Sequence, residues 1–302
     1  MADRTTDVKP RETAHVAHLH LRNVISSELS RFPPGSTVRI LDAGCGDCRF
    51  IAYLNASLPV LRPDLTFEIF GFDLHDFWPI ENFASAMKLL ETVDQGTRWS
   101  ERISRISAGE TWPFPDEYFD IVVSNQVGEH VDDHGHFFGE VARTLNPAGF
   151  SAHLFPLKHV LMEWHVLMPL AHRIGNYDLL RTLISIYSRL GGGIFRGYRG
   201  RSDIERFAAG HAEYVIRYTN YVSYGELLKI TKRKGLLLST RYTSEFYWQK
   251  VRRLTRRPEV RRYRHERGAI RDWLAFLLLR YVQGVTVFLE KGGHYDRLIS
   301  KS

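Results

Sequence analysis

The chain has 302 residues, 44% hydrophobic and 25% charged, a globular composition that excludes a disordered chain, a collagen and a coiled coil. Two cysteines cannot staple a chain this long, the first 20 residues hold no apolar signal core, and the longest late apolar stretch, residues 273–279, is far short of the roughly 20 needed to span a bilayer. The net charge of +7 sits in one place: residues 250–267 hold Lys250 and eight arginines against Glu259 and Glu266, leaving the rest of the chain neutral.

In chain order, residues 13–30 place Val16, Leu19, Val24, Ile25 and Leu29 at helical spacing, and Pro33-Pro34-Gly35 stops that helix. Residues 38–41 (VRIL) form a short apolar strand, then a glycine-rich turn leads into a helix over 49–57. A second strand, 66–72, ends in Asp73; a helix covers 80–93; 102–106 and 120–124 are a weaker and a stronger strand. A helix over 135–145, a turn at 146–149 and a strand at 150–155 follow. Strand and helix alternate here without hairpin turns, which predicts a doubly wound, mostly parallel α/β sheet with right-handed crossovers. Residues 157–190 then read as two helices, Gly191-Gly192-Gly193 as a joint, 223–234 as an amphipathic helix, 236–243 and 285–289 as strands, and the arginine-rich stretch between them as helical. The expected divisions are a helical segment at 1–36, a ligand-binding core at 37–156, a helical insertion at 157–222 and a C-terminal part at 223–302.

The informative segment is 38–50, VRILDAGCGDCRF. A strand ends in Asp42, and Gly44 and Gly46 turn the chain sharply into a helix whose N-terminal N–H groups can receive a carboxylate or phosphate. Asp73 follows at the end of the next strand, 27 residues after Gly46, where a carboxylate can accept two hydrogen bonds from ribose hydroxyls. The residues point to an adenosine-containing ligand. The missing third glycine, with Arg49 in its place, disfavours a pyrophosphate along the loop. The blander alternatives are a purely structural turn at Gly44 and Gly46 and helix-capping roles for Asp42 and Asp73. Cys45 and Cys48 have no second pair to complete a zinc site and read as small turn residues.

Over residues 38–155 the sequence resembles the class I S-adenosylmethionine-dependent methyltransferases. LDAGCGDC is similar to that family's first motif, with Cys48 where glycine is usual, GFDL to the second, and AGETWPFPDEYFDIVVSNQVGEHV with FFGEVARTLNPAGF to those that follow. The resemblance implies the Rossmann-like fold with helical insertions and S-adenosyl-L-methionine as cofactor. It implies that Asp42, Gly44, Cys45 and Gly46 surround the methionine part, that Asp73 holds the ribose with Leu74 beside the adenine, and that Gly109 and Glu110 take the place of the family's Gly-Asp pair. Glu110 also reads as a solvated loop acid. Asn125 and Gln126 would line the sulfonium end.

Methyl transfer needs an oriented acceptor, and a hydroxyl acceptor benefits from a base. His130, just after the fourth strand, is the candidate base, against a role in positioning its loop. Glu163 and His165, charged residues in an apolar run, are the candidate acceptor site, against core packing with solvated edges. The run His130, Asp132, Asp133, His134, His136 fits no metal-ligand signature, so no metal is expected. The predicted reaction is O-methylation of a small-molecule, glycan or lipid acceptor by a cytoplasmic protein. The alternatives are an RNA methyltransferase with 250–267 as its footprint and a non-catalytic cofactor-binding scaffold. The same basic segment suits a solvated face, anionic membrane headgroups or RNA phosphates.

Overall fold

The computed structural model describes residues 15–75, 80–198, 203–263 and 268–292. Its strands form a seven-stranded sheet in the order β3-β2-β1-β4-β5-β9-β8, where β1 is Thr37–Ala43, β2 Thr66–Leu74, β3 Ile103–Ile106, β4 Phe119–Asn125, β5 Leu145–Pro156, β8 Leu236–Ser239 and β9 Gly284–Lys291. A two-stranded antiparallel piece joins β6, Met162–Glu163, to β7, Met168–Pro169. The helices are α1 (Val16–Glu28), α2 (Arg49–Leu61), α3 (Ile80–Val93), α4 (His134–Thr144), α5 (Tyr177–Arg189), α6 (Ile204–Tyr218), α7 (Tyr224–Arg233), α8 (Thr243–Leu254) and α9 (Ala269–Leu279). This is the expected doubly wound, mostly parallel α/β architecture.

The chain falls into two compact units. The first comprises residues 1–125, 143–152 and 245–267. There β1 pairs in parallel with β2, Thr37 opposite Thr66 through Ala43 opposite Phe72, and with β4; β2 pairs in parallel with β3. Val38, Ile40 and Leu41 are fully buried, as expected of a strand covered on both faces. Gly71 permits the close packing of the loop onto β2: a Cβ there would stand 2.6 Å from Ile51 Cδ1 and 3.0 Å from Cys45 Cβ. Arg62, capping α2, donates to the Leu29 and Phe32 carbonyls at 2.7 and 3.3 Å and pairs with Asp64 at 2.6 Å, tying the ends of α1 and α2 together. Arg143 does the same for the 112–116 loop, donating to the Trp112 and Phe114 carbonyls and to Asp116.

The second unit comprises residues 126–142, 153–244 and 268–302. Its α5 and α6 bury Leu180, Ile184, Phe207, Ala208, Ala212 and Val215 against Val166, Met168 and Phe195. Strand β8 pairs antiparallel with β9.

Three sequence expectations need correction. Residues 157–190 contain one α-helix, α5, preceded by β6, β7 and a short 3-10 turn at Ala171–Arg173. Leu167 and Leu170 adopt positive φ of 50° and 56°, and Pro169 lies between them, so the apolar run is bent instead of helical. The expected 236–243 strand stops at Ser239 because Tyr242 turns at φ 71° and Thr243 opens α8. The arginine-rich stretch is helical only through Leu254; Arg256 at φ 51° and Pro258 break it, and residues 264–267 lie outside those described, as does the start of the expected first helix. Helix α6, over Ile204–Tyr218, had no counterpart in the sequence reading.

Candidate active site

In the first unit, the loop between β1 and α2 folds back on β2: the Gly44 and Cys45 N–H groups both donate to the Phe72 carbonyl, at 2.9 and 3.0 Å. Gly44 and Gly46 have φ of 82° and 51°, and Cys48 has φ 58°, a left-handed value that glycine adopts without steric cost. A Cβ on Gly46 would meet no heavy atom within 4 Å, so this stretch of backbone stands open to a ligand. Asp73 accepts from Gly46 N at 2.6 Å and from Leu74 N at 2.7 Å. Asp42 is buried, and its Oδ1 has no hydrogen-bond partner among the described residues. Burial first, then the neighbouring charges of Asp73 and Asp47, push the Asp42 carboxyl well above the usual range; burial likewise raises Asp73 against its two backbone donors. Two poorly compensated carboxyls beside an open glycine turn fit a cationic ligand, whose charge would relieve both. An adenosyl sulfonium with its amino acid ammonium has that charge.

Strand β4 places Asn125 at the same carboxyl edge of the sheet, where ligands of open α/β sheets bind, with its Oδ1 buried and without a hydrogen-bond partner among the described residues. Gly109 and Glu110 lie in an exposed loop after β3, where Glu110 accepts from Ser107 N at 2.9 Å. That bond, with the Ser107 hydroxyl, holds the Glu110 carboxylate below its ordinary value.

The second unit gathers a different set. Gln126, exposed at φ 55°, is tied through both its backbone N and Nε2 to the Leu154 carbonyl. A 3-10 turn, Gly128–His130, follows. Gly128 packs so tightly on Phe155 that a Cβ would lie 2.5 Å from its ring. Asn220 clamps the next residues, donating from its backbone to the Glu129 carbonyl at 2.6 Å and from Nδ2 to those of Val131 and Asp132. His130 Nδ1 lies 2.5 Å from the Tyr218 carbonyl. A carbonyl only accepts, so Nδ1 carries the proton and the ring's lone pair is on Nε2. Burial, with His165 nearby, lowers the His130 pKa against the pull of that carbonyl, so the imidazole is neutral at pH 7.

The His130 ring packs edge-on to His165, centroids 5.2 Å apart, and both rings approach Tyr214, at 6.0 and 5.1 Å. His165 Nδ1 is 2.5 Å from Glu163 Oε1, an oxygen that also receives the Tyr221 hydroxyl at 2.9 Å, while Glu163 Oε2 accepts from Val166 N at 2.9 Å. Burial opposes ionisation of Glu163, but these donors outweigh it and hold the carboxyl below its usual range. Glu129 is also buried, and its Oε2 has no hydrogen-bond partner among the described residues. Burial lifts its carboxyl to about 8, with Glu163 adding to the rise. One cluster thus contains an anchored carboxylate, a carboxylic acid neutral at pH 7, two imidazoles and several phenols. Among the described residues no three His, Cys, Asp or Glu side chains are arranged to hold a metal ion.

Of the residues singled out from sequence, Asp42, Gly44, Cys45, Gly46, Asp73 and Leu74 meet at one turn, and His130, Glu163 and His165 meet in the second cluster. Glu110 lies in its exposed loop, within electrostatic reach of His75. Glu129, Tyr214 and Tyr221 were missed. The only sequence signal for the tyrosines was the recurrence of Tyr214, Tyr218 and Tyr221 at helical spacing, which also describes an ordinary packed face.

Residues 41–152 match a family model described as a methyltransferase domain. No curated protein matches the chain. Among solved structures, the chain is similar to the YcgJ protein of Bacillus subtilis, with 16% identity and a TM-score of 0.48 over 92% of this chain and 99% of the other. It is similar to an S-adenosylmethionine-dependent methyltransferase of Mesorhizobium loti, with 14% identity and a TM-score of 0.44 over 87% and 94% of the two chains. A third, geranyl diphosphate C-methyltransferase of Streptomyces coelicolor, has 12% identity and a TM-score of 0.41 over 84% and 71%.

Proposed function

We propose that this chain, whose residues 41–152 match a methyltransferase domain, is a class I S-adenosylmethionine-dependent methyltransferase that O-methylates a small-molecule, glycan or lipid acceptor with His130 as the base. The observation that carries this reading is the fixed tautomer of His130. Its Nδ1–H is committed to the Tyr218 carbonyl and its neutral form is favoured by burial, which directs its basicity to Nε2.

When bound, S-adenosyl-L-methionine supplies an electrophilic methyl group. Asp42, Gly44, Cys45, Gly46, Asp73 and Leu74 are the residues proposed to hold it, with Gly109, Glu110 and Asn125 completing the set. The protein's remaining work is to orient the acceptor, exclude water and remove a proton. His130 Nε2 takes the hydroxyl proton as the oxygen becomes nucleophilic. The Glu163 carboxylate, held by Tyr221 and Val166 N, accepts from His165 Nδ1 and so fixes that ring to orient the acceptor. The neutral Glu129 carboxyl can donate to an acceptor oxygen without repelling it. The two cysteines are free thiols, in keeping with the reducing cytoplasm in which we place the protein.

The test is transfer of labelled methyl from S-adenosyl-L-methionine to fractionated small molecules, glycans, lipids and RNA. Label in one of the first three, lost in His130→Ala, supports the reading. Label in RNA overturns the acceptor class, and cofactor binding without label in any fraction overturns catalysis.

A further inference from the structure

The arginine-rich stretch has no part in the chemistry above, yet residues 258–263 are firmly built into the first unit. Asn23 Nδ2 and Gln249 Nε2 both donate to the Val260 carbonyl, at 2.5 and 3.3 Å; Tyr263 N donates to Ser27 Oγ at 2.8 Å; the Tyr263 hydroxyl is 2.8 Å from His20 Nδ1. Arg252 reaches the Pro258 carbonyl at 3.2 Å. Residues 258–263 form a strap laid on α1, and between it and α2 is a cavity of about 510 Å³.

The walls of that cavity have a definite chemistry. Arg22, on α1, is 6% exposed, and its buried Nε makes no hydrogen bond among the described residues. Its guanidinium lies 5.7 Å from the centre of the Tyr53 ring, a cation–π distance. Arg261 on the strap adds a second cation and Glu259 one carboxylate, so the lining carries a net positive charge. The rest is largely apolar, and Val60 on the rim is 68% exposed. Leaving a guanidinium donor buried and unsatisfied is costly. Burial also lowers the Arg22 pKa, a cost that an anion beside it would remove.

We propose that this cavity is a second binding site, for a phosphate monoester bearing an apolar chain. The phosphate pairs with Arg22 and Arg261, and the chain covers Val60 and the apolar wall of α2. Guanidinium donors match phosphate oxygens in geometry and charge, and the volume suits a ligand of small-molecule size. Such a group comes from a soluble phosphorylated metabolite or from a lipid headgroup. The inference does not rest on the methyl acceptor proposed above.

The test uses the full chain and hexyl phosphate as probe, followed by calorimetry. One molecule should bind per chain, inorganic phosphate should bind at least tenfold more weakly, and hexanol should not bind. Arg22→Met should weaken hexyl phosphate at least tenfold. Val60→Glu, at an exposed rim position that folding does not need, should do the same and decides the matter if Arg22→Met does not fold. Absence of binding to the wild type, or unchanged affinity in a folded Val60→Glu protein, overturns the proposal. Retention on phosphatidic acid vesicles but not on phosphatidylcholine vesicles, lost in the variants, supports the site with a lipid as source. Hexyl phosphate binding without vesicle retention supports it with a soluble ester as source.

Discussion

His130 and Glu129 are chain neighbours with opposite electrostatic fates. Burial strips the charge from both, which makes the imidazole a base at neutral pH and the carboxyl an acid. His130→Ala should lower kcat by about 100-fold or more, while calorimetric affinity for S-adenosyl-L-methionine stays near wild type. Because the His130 pKa is lowered from 6.5, the acid limb of the wild-type pH–rate profile should fall below pH 6.5. A limb at or above 6.5 argues against His130 as the base. Glu129 is tested through stability. Its carboxyl titrates near 8 when folded, against an ordinary value of 4.5. Between those values the folded chain holds a proton that the unfolded chain has released, so stability declines as pH rises. Glu129→Gln removes this titration while keeping shape. The variant should gain about 2 kcal/mol on wild type between pH 6 and pH 8 in urea unfolding, since each pH unit is worth about 1.4 kcal/mol.

At the scale of elements, the base is held by a short turn with no room to spare. A methyl group at position 128 would collide with the Phe155 ring, and the turn is pinned from the other side by Asn220. Gly128→Ala should therefore cost about 1–3 kcal/mol by overpacking and displace His130, lowering kcat more than cofactor affinity; thermal melts and steady-state kinetics separate the two effects. The parts of this arrangement that sequence revealed were local ones. The strand–glycine–helix passage at 38–50 is written in consecutive residues, so Asp42, Gly44, Gly46 and Asp73 could be placed from pattern alone. Glu163 and His165 stood out as charges in an apolar run, and a buried charge demands a partner. Tyr221, the partner of Glu163, lies 58 residues away, and periodicity carries no information about such a pairing. The failure at 157–190 has a similar cause. Leucine and methionine favour a helix, but Leu167 and Leu170 take positive φ and Val166 N donates to Glu163 Oε2, neither of which the apolar pattern shows. Helix α6 was missed because its apolar positions are diluted by Glu, Arg, His and Tyr, and its partner face on α5 is visible only in the fold.

On the scale of the molecule, each compact unit contains a fully buried histidine held neutral by its surroundings. In the first unit, His20 packs against Phe246 and contacts the Tyr263 hydroxyl; in the second, His153 lies against the rings of Phe137 and Phe138. Burial drops both pKa values from 6.5 to about 3, with Lys250 contributing for His20. Below pH 6.5 the unfolded chain takes up protons that the folded chain refuses until about pH 3. The contribution of each histidine is therefore complete above pH 6.5 and is lost progressively as the pH falls toward 3. Raised carboxyls such as Glu129 act in the other direction between about 4.5 and 8 and offset part of the effect of the two histidines above pH 4.5. Thermal melts should show the midpoint dropping steeply between pH 6 and pH 4. His153→Gln, which keeps a polar group but cannot titrate, should flatten that drop even if it lowers the midpoint at pH 7. An acid slope identical to wild type in a folded His153→Gln protein would show that the protons are taken up elsewhere. The double variant with His20→Asn should flatten the slope further than either single variant in the same melts.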